Sequence, residues 1–299
     1  MAERSILITG CSSGIGLDAA RALKARGWKV IATCRREADS ARLRDEGLES
    51  FALDLTLAPS IAAGFERTLE LAGGRLDALF NNGAYACPGA LEDLPVEAMR
   101  EIFEANFFGW HDLTRRTIAV MREQGAGRIV QNSSVLGFAA LPMRGAYVST
   151  KFALEGYTET LRLELIGSGI DIALLEPGPI RTRIRQNSRQ HYQRWVQPKK
   201  TSSVWRELYE KALEPRLFEE RPGRDPGELL PDATTRAVIH ALEARRPRTH
   251  YPVTTPTWSM IALKRVLPPR LLDRLLYRTQ MQALPPAARP SDGREETAS

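Results

Sequence analysis

Apolar residues follow two alternating rhythms along this chain. Short unbroken apolar runs closed by turn residues, the first being Ser5-Ile6-Leu7-Ile8-Thr9, give way to longer stretches with apolar residues every three or four positions, the first from about Gly14 to Arg26. The unbroken run suits a strand buried on both faces, and the longer period suits a helix that buries one side. Further strands are predicted over Lys29–Cys34, Glu49–Leu53, Leu76–Asn81, Gly127–Ser133 and Ile170–Leu175, with helices between them. Six such strand–helix units imply a parallel sheet covered on both faces. Right-handed crossovers make it doubly wound, with its ligand crevice at the carboxyl ends of the strands where the winding switches. No domain boundary is evident before about residue 180.

Beyond Arg181 the rhythm weakens, and Tyr192, Trp195, Trp205, Tyr209 and Phe218 stand among prolines and basic residues until a helix resumes near Asp232. Residues 183–230 therefore read as a substrate loop or lid. Amphipathic character returns from Trp258 to Thr279. After Pro268-Pro269, Leu271, Leu272, Leu275 and Leu276 form one stripe while Arg270, Arg274 and Arg278 form another. Such a helix suits an anionic membrane surface, or packing on the body or on a second subunit. Residues 256–284 are accordingly an amphipathic C-terminal extension, and 285–299, rich in Pro, Ala and charge, a frayed tail.

The formal charge of +6 is unevenly spread, since Arg181 to Lys200 holds seven Lys or Arg and no acid. Solvated loops and helix faces account for such runs more often than phosphate partners do, and no nucleic acid is expected. The three cysteines, Cys11, Cys34 and Cys87, are odd in number and lack metal-like spacing, which suits a reducing compartment. The four histidines show no ligand pattern, so no metal is expected. With neither a leader pattern nor a membrane-spanning apolar run, the reading is a cytoplasmic protein.

The candidate chemistry falls at strand ends. Gly10, Gly14 and Gly16 lie between the first strand and the first helix, where missing side chains let the backbone approach a pyrophosphate at the helix N-terminus, and Ser12 and Ser13 add hydroxyl donors. The second strand ends Thr33-Cys34-Arg35-Arg36, with no carboxylate to repel a ribose 2′-phosphate and Arg35 able to grip one, so NADP(H) is favoured over NAD(H). The alternative is that both arginines solvate a turn. Asp54, after the third strand, reads either as an acceptor for the adenine amino group or as a helix N-cap. Tyr147 and Lys151, four residues apart, share one helix face, so the ammonium can favour the phenolate. Ser134 closes a strand thirteen residues before Tyr147 and can point into the same crevice.

These residues make the chain resemble the single-domain short-chain dehydrogenases/reductases over roughly residues 4 to 255. The marks are Thr9-Gly10-x-x-x-Gly14-Ile15-Gly16, Asp54, Asn81-Asn82-Gly83-Ala84, Asn106, Ser134, Tyr147-x-x-x-Lys151 and Pro177-Gly178-Pro179-Ile180-Arg181-Thr182. The usual order after the paired asparagines is Ala-Gly; here it is Gly83-Ala84. The resemblance is nearest to NADP-dependent 17β-hydroxysteroid and retinol dehydrogenase-like members and bacterial aldehyde reductases. It implies a Rossmann-like sheet of strand order 3-2-1-4-5-6-7 over residues 1–255, a homodimer or homotetramer, and an apolar aldehyde or ketone as substrate. It assigns Tyr147 as proton donor, Lys151 as the group that lowers the tyrosine pKa and holds the nicotinamide ribose, and Ser134 as polariser of the carbonyl. The choice of Ser134 over Ser133 rests on family register. Asn106 would distort its helix around a water and relay protons. Cofactor contacts are implied for Ile15, for Leu55 beside Asp54, for Asn82, Gly83 and Ala84, and for the turn carrying Pro177, Gly178, Ile180 and Thr182.

Overall fold

A computed structural model describes residues 3–219 and 225–281. Its strands are β1 (Ser5–Thr9), β2 (Lys29–Cys34), β3 (Glu49–Ala52), β4 (Ala78–Asn81), β5 (Gly127–Asn132), β6 (Ile170–Glu176) and β7 (His250–Pro252). They form one sheet in the order β3-β2-β1-β4-β5-β6-β7, parallel throughout, with the winding reversed between β1 and β4. The order is the one the resemblance implies. The unbroken apolar runs follow from burial on both faces: Ile6 and Ile8 pack on one side with Val30, Phe80 and Val130, while Leu7 packs on the other with Ile31, Leu79 and Ile129.

The helices are α1 (Gly14–Ala25), α2 (Glu37–Asp45), α3 (Ala58–Ala72), α4 (Val96–Phe103), α5 (Gly109–Gln124), α6 (Gly145–Glu164), α7 (Ile184–Trp195), α8 (Arg206–Leu208), α9 (Glu214–Phe218), α10 (Pro231–Glu243), α11 (Thr255–Val266) and α12 (Pro269–Met281). Leu23 of α1 and Val238 of α10 cover the first face of the sheet. Phe65 of α3, Leu113 of α5 and Leu154 of α6 cover the second. A third apolar cluster joins Tyr85, Ile102 and Met143 to Tyr192, Val196, Tyr209 and Leu217.

That third cluster corrects the reading of 183–230 as a loop: most of its described residues are helical, in α7, a 3-10 turn at Gln197–Ser202, α8, a π-turn at Tyr209–Leu213, and α9. The helical rhythm is hidden because the buried face of α7 is Ser188, His191 and Tyr192 rather than aliphatic. The basic run is largely exposed, as expected, but partly paired. Arg185 meets Asp225 at 2.6 Å, Arg194 meets Glu101 at 3.0 Å and Lys200 meets Glu214 at 3.1 Å, acids mostly remote in sequence. The segment is tied shut at its base. An isolated parallel bridge joins Ile180 to Leu229, with Arg181 N donating to Leu229 O at 2.9 Å and Leu229 N to Pro179 O at 3.1 Å.

In the C-terminal extension, Lys264 donates to Phe138 O at 2.6 Å from α11, and α12 buries Leu272 while Leu271 and Tyr277 stay exposed. Residues 282–284 of that extension, and the tail read over 285–299, lie outside the described residues. Among the described residues, no helix is long and apolar enough to cross a membrane.

Candidate active site

The turn after β1 is shaped by contacts that leave no room for side chains. Gly10 and Gly14 have φ of 72° and 61°, a region that favours glycine. A Cβ on Gly10 would lie 2.5 Å from Gly83 Cα, and one on Gly16 would lie 2.6 Å from Gly10 O. Buried Thr9 locks the two loops together, its Oγ1 accepting from the N–H groups of Asn82 and Gly83 at 2.9 Å each. Asn82 donates back to Thr9 O at 2.9 Å and accepts from Asn132 Nδ2 at 2.8 Å. The inverted Gly83-Ala84 order has a local reason, since a Cβ on Gly83 would press on Leu55 Cδ1 at 3.1 Å and Gly10 N at 3.2 Å. Ser13 occupies the N-cap position of α1 without making a side-chain cap bond. Ser12 and Ile15 lie half-buried on the same turn.

At the end of β2, Arg35 is exposed and makes no ion pair among the described residues. Arg36 is committed to Asp39 at 2.9 Å. Asp54 is not a helix cap: α3 begins four residues later, and Asp54 Oδ1 instead accepts from Thr56 N at 2.9 Å and Thr56 Oγ1 at 2.7 Å. Across the crevice, Pro177 O accepts from Val135 N at 2.9 Å. Gly178 leaves space for Thr254, whose Oγ1 would be 2.1 Å from a Cβ there. Ile180 is fixed by its bridge, and Thr182 lies over Gly14, its Cγ2 3.0 Å from where a Cβ would stand.

Tyr147 and Lys151 project from adjacent turns of α6. The Lys151 side chain is buried, its Nζ donating to Asn132 O at 2.6 Å and lying 4.4 Å from the Trp110 ring centroid and 5.5 Å from that of Tyr147. Burial pushes Lys151 down to about 7, with the carboxylate of Glu155 opposing it. Tyr147 is pushed up to about 12 by burial, countered by a hydrogen bond with Ser134. The phenol is thus protonated near neutral pH, with burial the larger influence on it. Ser134 also accepts from Leu136 N at 3.1 Å, while Ser133 turns away and donates to Glu155. Asn106 sits in a π-turn, Glu104–Phe108, which is the distortion its position suggested. Its amide pairs with the Tyr85 backbone, accepting from N at 3.0 Å and donating to O at 2.9 Å, and reaches Thr150 Oγ1 at 3.3 Å.

Four further residues belong to this arrangement and carried no signal in the sequence reading. Asn132 offers both its carbonyl, to Lys151, and its amide, to Asn82. Trp110 donates to Gly83 O at 2.8 Å and supports Lys151. Arg42 donates to Ser12 O at 2.7 Å, holding α2 on the glycine turn. His191 stacks on Tyr85 at 3.8 Å and is pushed down to about 4, mainly by burial.

Comparison with known proteins agrees with this geometry. A family model described as short chain dehydrogenase matches residues 4–193. The chain is 38% identical over 279 residues to the uncharacterized oxidoreductase YbbO of Escherichia coli strain K12, covering 92% of this chain and 94% of that one. It is 31% identical over 277 residues to retinol dehydrogenase 8 of Bos taurus, covering 89% and 86%. A solved structure of a single-substitution variant of actinorhodin polyketide ketoreductase with NADPH superposes with a TM-score of 0.67 at 27% identity, covering 84% of this chain and 95% of that one. The chain belongs to the short-chain dehydrogenases, a family of oxidoreductases that interconvert carbonyls and alcohols.

Proposed function

We propose that the protein is an NADP(H)-dependent reductase of hydrophobic aldehydes or ketones, retinoid- or steroid-like in character, with Asn106, Ser134, Tyr147 and Lys151 as its working set. The observation that carries this reading is the setting of Tyr147: a protonated phenol beside a buried lysine, packed against an apolar cluster of Tyr85, Met143, Tyr192, Val196 and Tyr209. An apolar cluster packed beside the phenol favours an apolar substrate in its neighbourhood over a polar one.

The residues fit a dinucleotide by two features of this structure. The turn after β1 runs as bare backbone into the N-terminus of α1, since a Cβ at Gly10, Gly14 or Gly16 would strike Gly83, Thr182 or Asn82, and Arg35 projects from the end of β2 with no acid engaged among the described residues. Gly10, Ser12, Ser13, Gly14, Ile15 and Gly16 would hold the pyrophosphate and Arg35 the 2′-phosphate. Asp54 and Leu55 would hold the adenine side, and Asn82, Gly83, Ala84, Lys151, Pro177, Gly178, Ile180 and Thr182 the nicotinamide half. When bound, a reduced nicotinamide supplies the hydride. Tyr147 gives its proton to the carbonyl oxygen as negative charge develops there, and Ser134 donates to the same oxygen. Lys151 favours the phenolate that remains. Asn106 secures the backbone at Tyr85, a member of that apolar cluster.

The test is NADPH oxidation across apolar aldehydes, retinoids and keto-steroids, with wild type and Tyr147→Phe side by side. Turnover by wild type and a fall of about 10²–10⁴-fold in the phenylalanine protein, with NADPH binding retained, is the expected result. Equal turnover by the two proteins would remove Tyr147 from the chemistry.

A further inference from the structure

Three side chains that the proposed reaction does not use converge from three separate elements. Glu155 lies on α6, Glu176 ends β6 and His250 begins β7, and one ligating atom from each falls within 4.8 Å of the others. No spacing in the chain announces them, because each comes from a different element. Local contacts hold each one in place. The Ser133 hydroxyl, just after β5, donates to Glu155, and Gly137 leaves room for that contact, since a Cβ there would lie 2.5 Å from both Glu155 Oε1 and Ser133 Oγ. Glu176 is 4% exposed, and His250 Nδ1 lies 2.9 Å from its Oε1. Parallel pairing of β7 with the end of β6, His250 opposite Leu174 and Pro252 opposite Glu176, fixes the imidazole beside that carboxylate. Glu159, one turn beyond Glu155, approaches the other imidazole nitrogen, Nε2, at 3.9 Å. The group opens on a cavity of about 480 Å³ that is also lined by Phe138 and, from α11, Trp258 and Ile261.

Charge decides what such a place can hold. Among the described residues, no Lys or Arg lies within 4.0 Å of the carboxylates of Glu155, Glu159 or Glu176, and the one ionisable base beside them is His250. Arg248 and Arg265 line the same cavity without coming that close. A buried carboxylate ordinarily has a cationic partner or coordinates a metal ion. Donors to one ion, at bond lengths of about 2.0–2.2 Å, stand roughly 3–4 Å from one another, so Glu176 and His250 are already near that separation. The remaining spread closes by side-chain movements of roughly 1 Å. We propose that Glu155, Glu176 and His250 form a binding site for a divalent transition-metal ion, with Glu159 as the outer carboxylate that orients the imidazole. Two carboxylates and an imidazole suit zinc and its first-row neighbours better than Mg²⁺ or Ca²⁺, which favour oxygen donors alone. An Nε2–H directed at Glu159 leaves Nδ1, on the Glu176 side, as the ligating nitrogen. Water from the cavity completes the coordination. The ion acts as a brace: it joins α6, which carries Tyr147 and Lys151, to the ends of β6 and β7 and, through Ser133, to the end of β5.

The test needs neither cofactor nor substrate, so it is independent of the proposed reaction. The full chain, treated with a chelator and dialysed, is titrated calorimetrically with Zn²⁺ as the probe, for wild type, Glu176→Gln, Glu155→Gln and His111→Gln. Wild type should bind one ion per chain, with affinity lower by on the order of 100-fold in Glu176→Gln and at least about tenfold in Glu155→Gln. Both glutamines keep an oxygen acceptor, for His250 and Ser133 respectively, so packing is conserved, and either variant serves if the other does not fold. His111 is an exposed histidine on α5, and its variant is the control that should bind as wild type does. Saturating Zn²⁺ should raise the melting temperature of wild type and His111→Gln by on the order of 5 °C and leave the two glutamate variants unmoved. Absence of saturable binding by wild type would overturn the assignment, as would equal affinity and equal thermal shift in wild type and both glutamate variants. Loss of binding in His111→Gln alone would overturn it too, by placing the ion on the surface of α5.

Discussion

Replacing Arg35 with alanine separates the two nicotinamide cofactors most cleanly, because the side chain is exposed and makes no ion pair among the described residues. Truncation strands no buried partner, so its effect on stability stays within about 0.5 kcal/mol. Its neighbours cannot take over without giving up existing bonds, since Arg36 is held by Asp39 at 2.9 Å and Arg42 by Ser12 O at 2.7 Å. A hydrogen bond to a charged group contributes about 1.5–3 kcal/mol. Loss of the Arg35 contact to a 2′-phosphate should then raise the NADPH Kd roughly 10- to 150-fold. NADH, which lacks that phosphate, should change less than about threefold on the same arithmetic. Fluorescence titration of both reduced cofactors at one fixed ionic strength measures this, because salt screens an exposed contact. Arg36→Ala is the control and should leave both constants nearly unchanged. Equal loss for the two cofactors, or a larger effect from Arg36 than from Arg35, would refute the assignment and favour arginines that merely solvate the turn.

Two further outcomes follow from named contacts. Tyr209 accepts from Ala90 N at 2.9 Å and donates to Asp93, so Tyr209→Phe leaves the Ala90 amide and the Asp93 carboxylate short of a partner. A loss of about 1–3 kcal/mol, with KM for bulky substrates raised more than kcat is lowered, is expected from denaturation and steady-state kinetics; an unchanged unfolding midpoint would show that this latch contributes nothing. Glu243 joins Arg26, Arg4 and the Trp28 indole N–H, and its carboxyl is pulled down to about 2, chiefly by the Arg26 hydrogen bond. A depressed carboxyl stabilises above its unfolded pKa near 4.3 and loses that contribution as pH falls towards 2. Glu243→Gln should therefore cost about 1 kcal/mol at pH 7, discounted for its partly solvated arginine partners, and almost nothing near pH 2. A deficit that persisted undiminished at low pH would mean that packing rather than charge is responsible.

What could be read from the sequence was whatever a single element encodes. Gly10, Gly14 and Gly16 are informative because one turn contains them all, and Tyr147 and Lys151 because a helix fixes their relation. The strand rhythm survives because both faces of the sheet are buried. Hidden from that reading was everything built from distant partners or from backbone atoms. Lys151 meets the carbonyl of Asn132, and any residue at that position would offer a carbonyl. Arg42 meets the carbonyl of Ser12 for the same reason. The ion pairs of the basic run 181–200 could not be read because several of its acids, Glu101, Asp225 and Glu228, lie outside it, whereas Arg181, Arg183, Arg194 and Lys199 are exposed as expected of a solvated face. The helicity of α7 was masked by a buried face of serine, histidine and tyrosine. Asp54 offered two local readings, of which only the distance to α3 could remove the helix cap.

The bridge between Ile180 and Leu229 has an implication for how such a protein can diversify. The described residues between those two positions depart after β6 and come back to the segment that follows it, and they add no strand to the sheet. The entropy of closing the excursion changes little with its length. Chains of different length and shape can therefore be inserted at this place without disturbing the sheet, provided they rebuild the apolar cluster with Tyr85, Ile102 and Met143 beside Tyr147. The architecture divides inheritance in two: a conservative body that handles the nucleotide, and an exchangeable module through which new molecules can be tried.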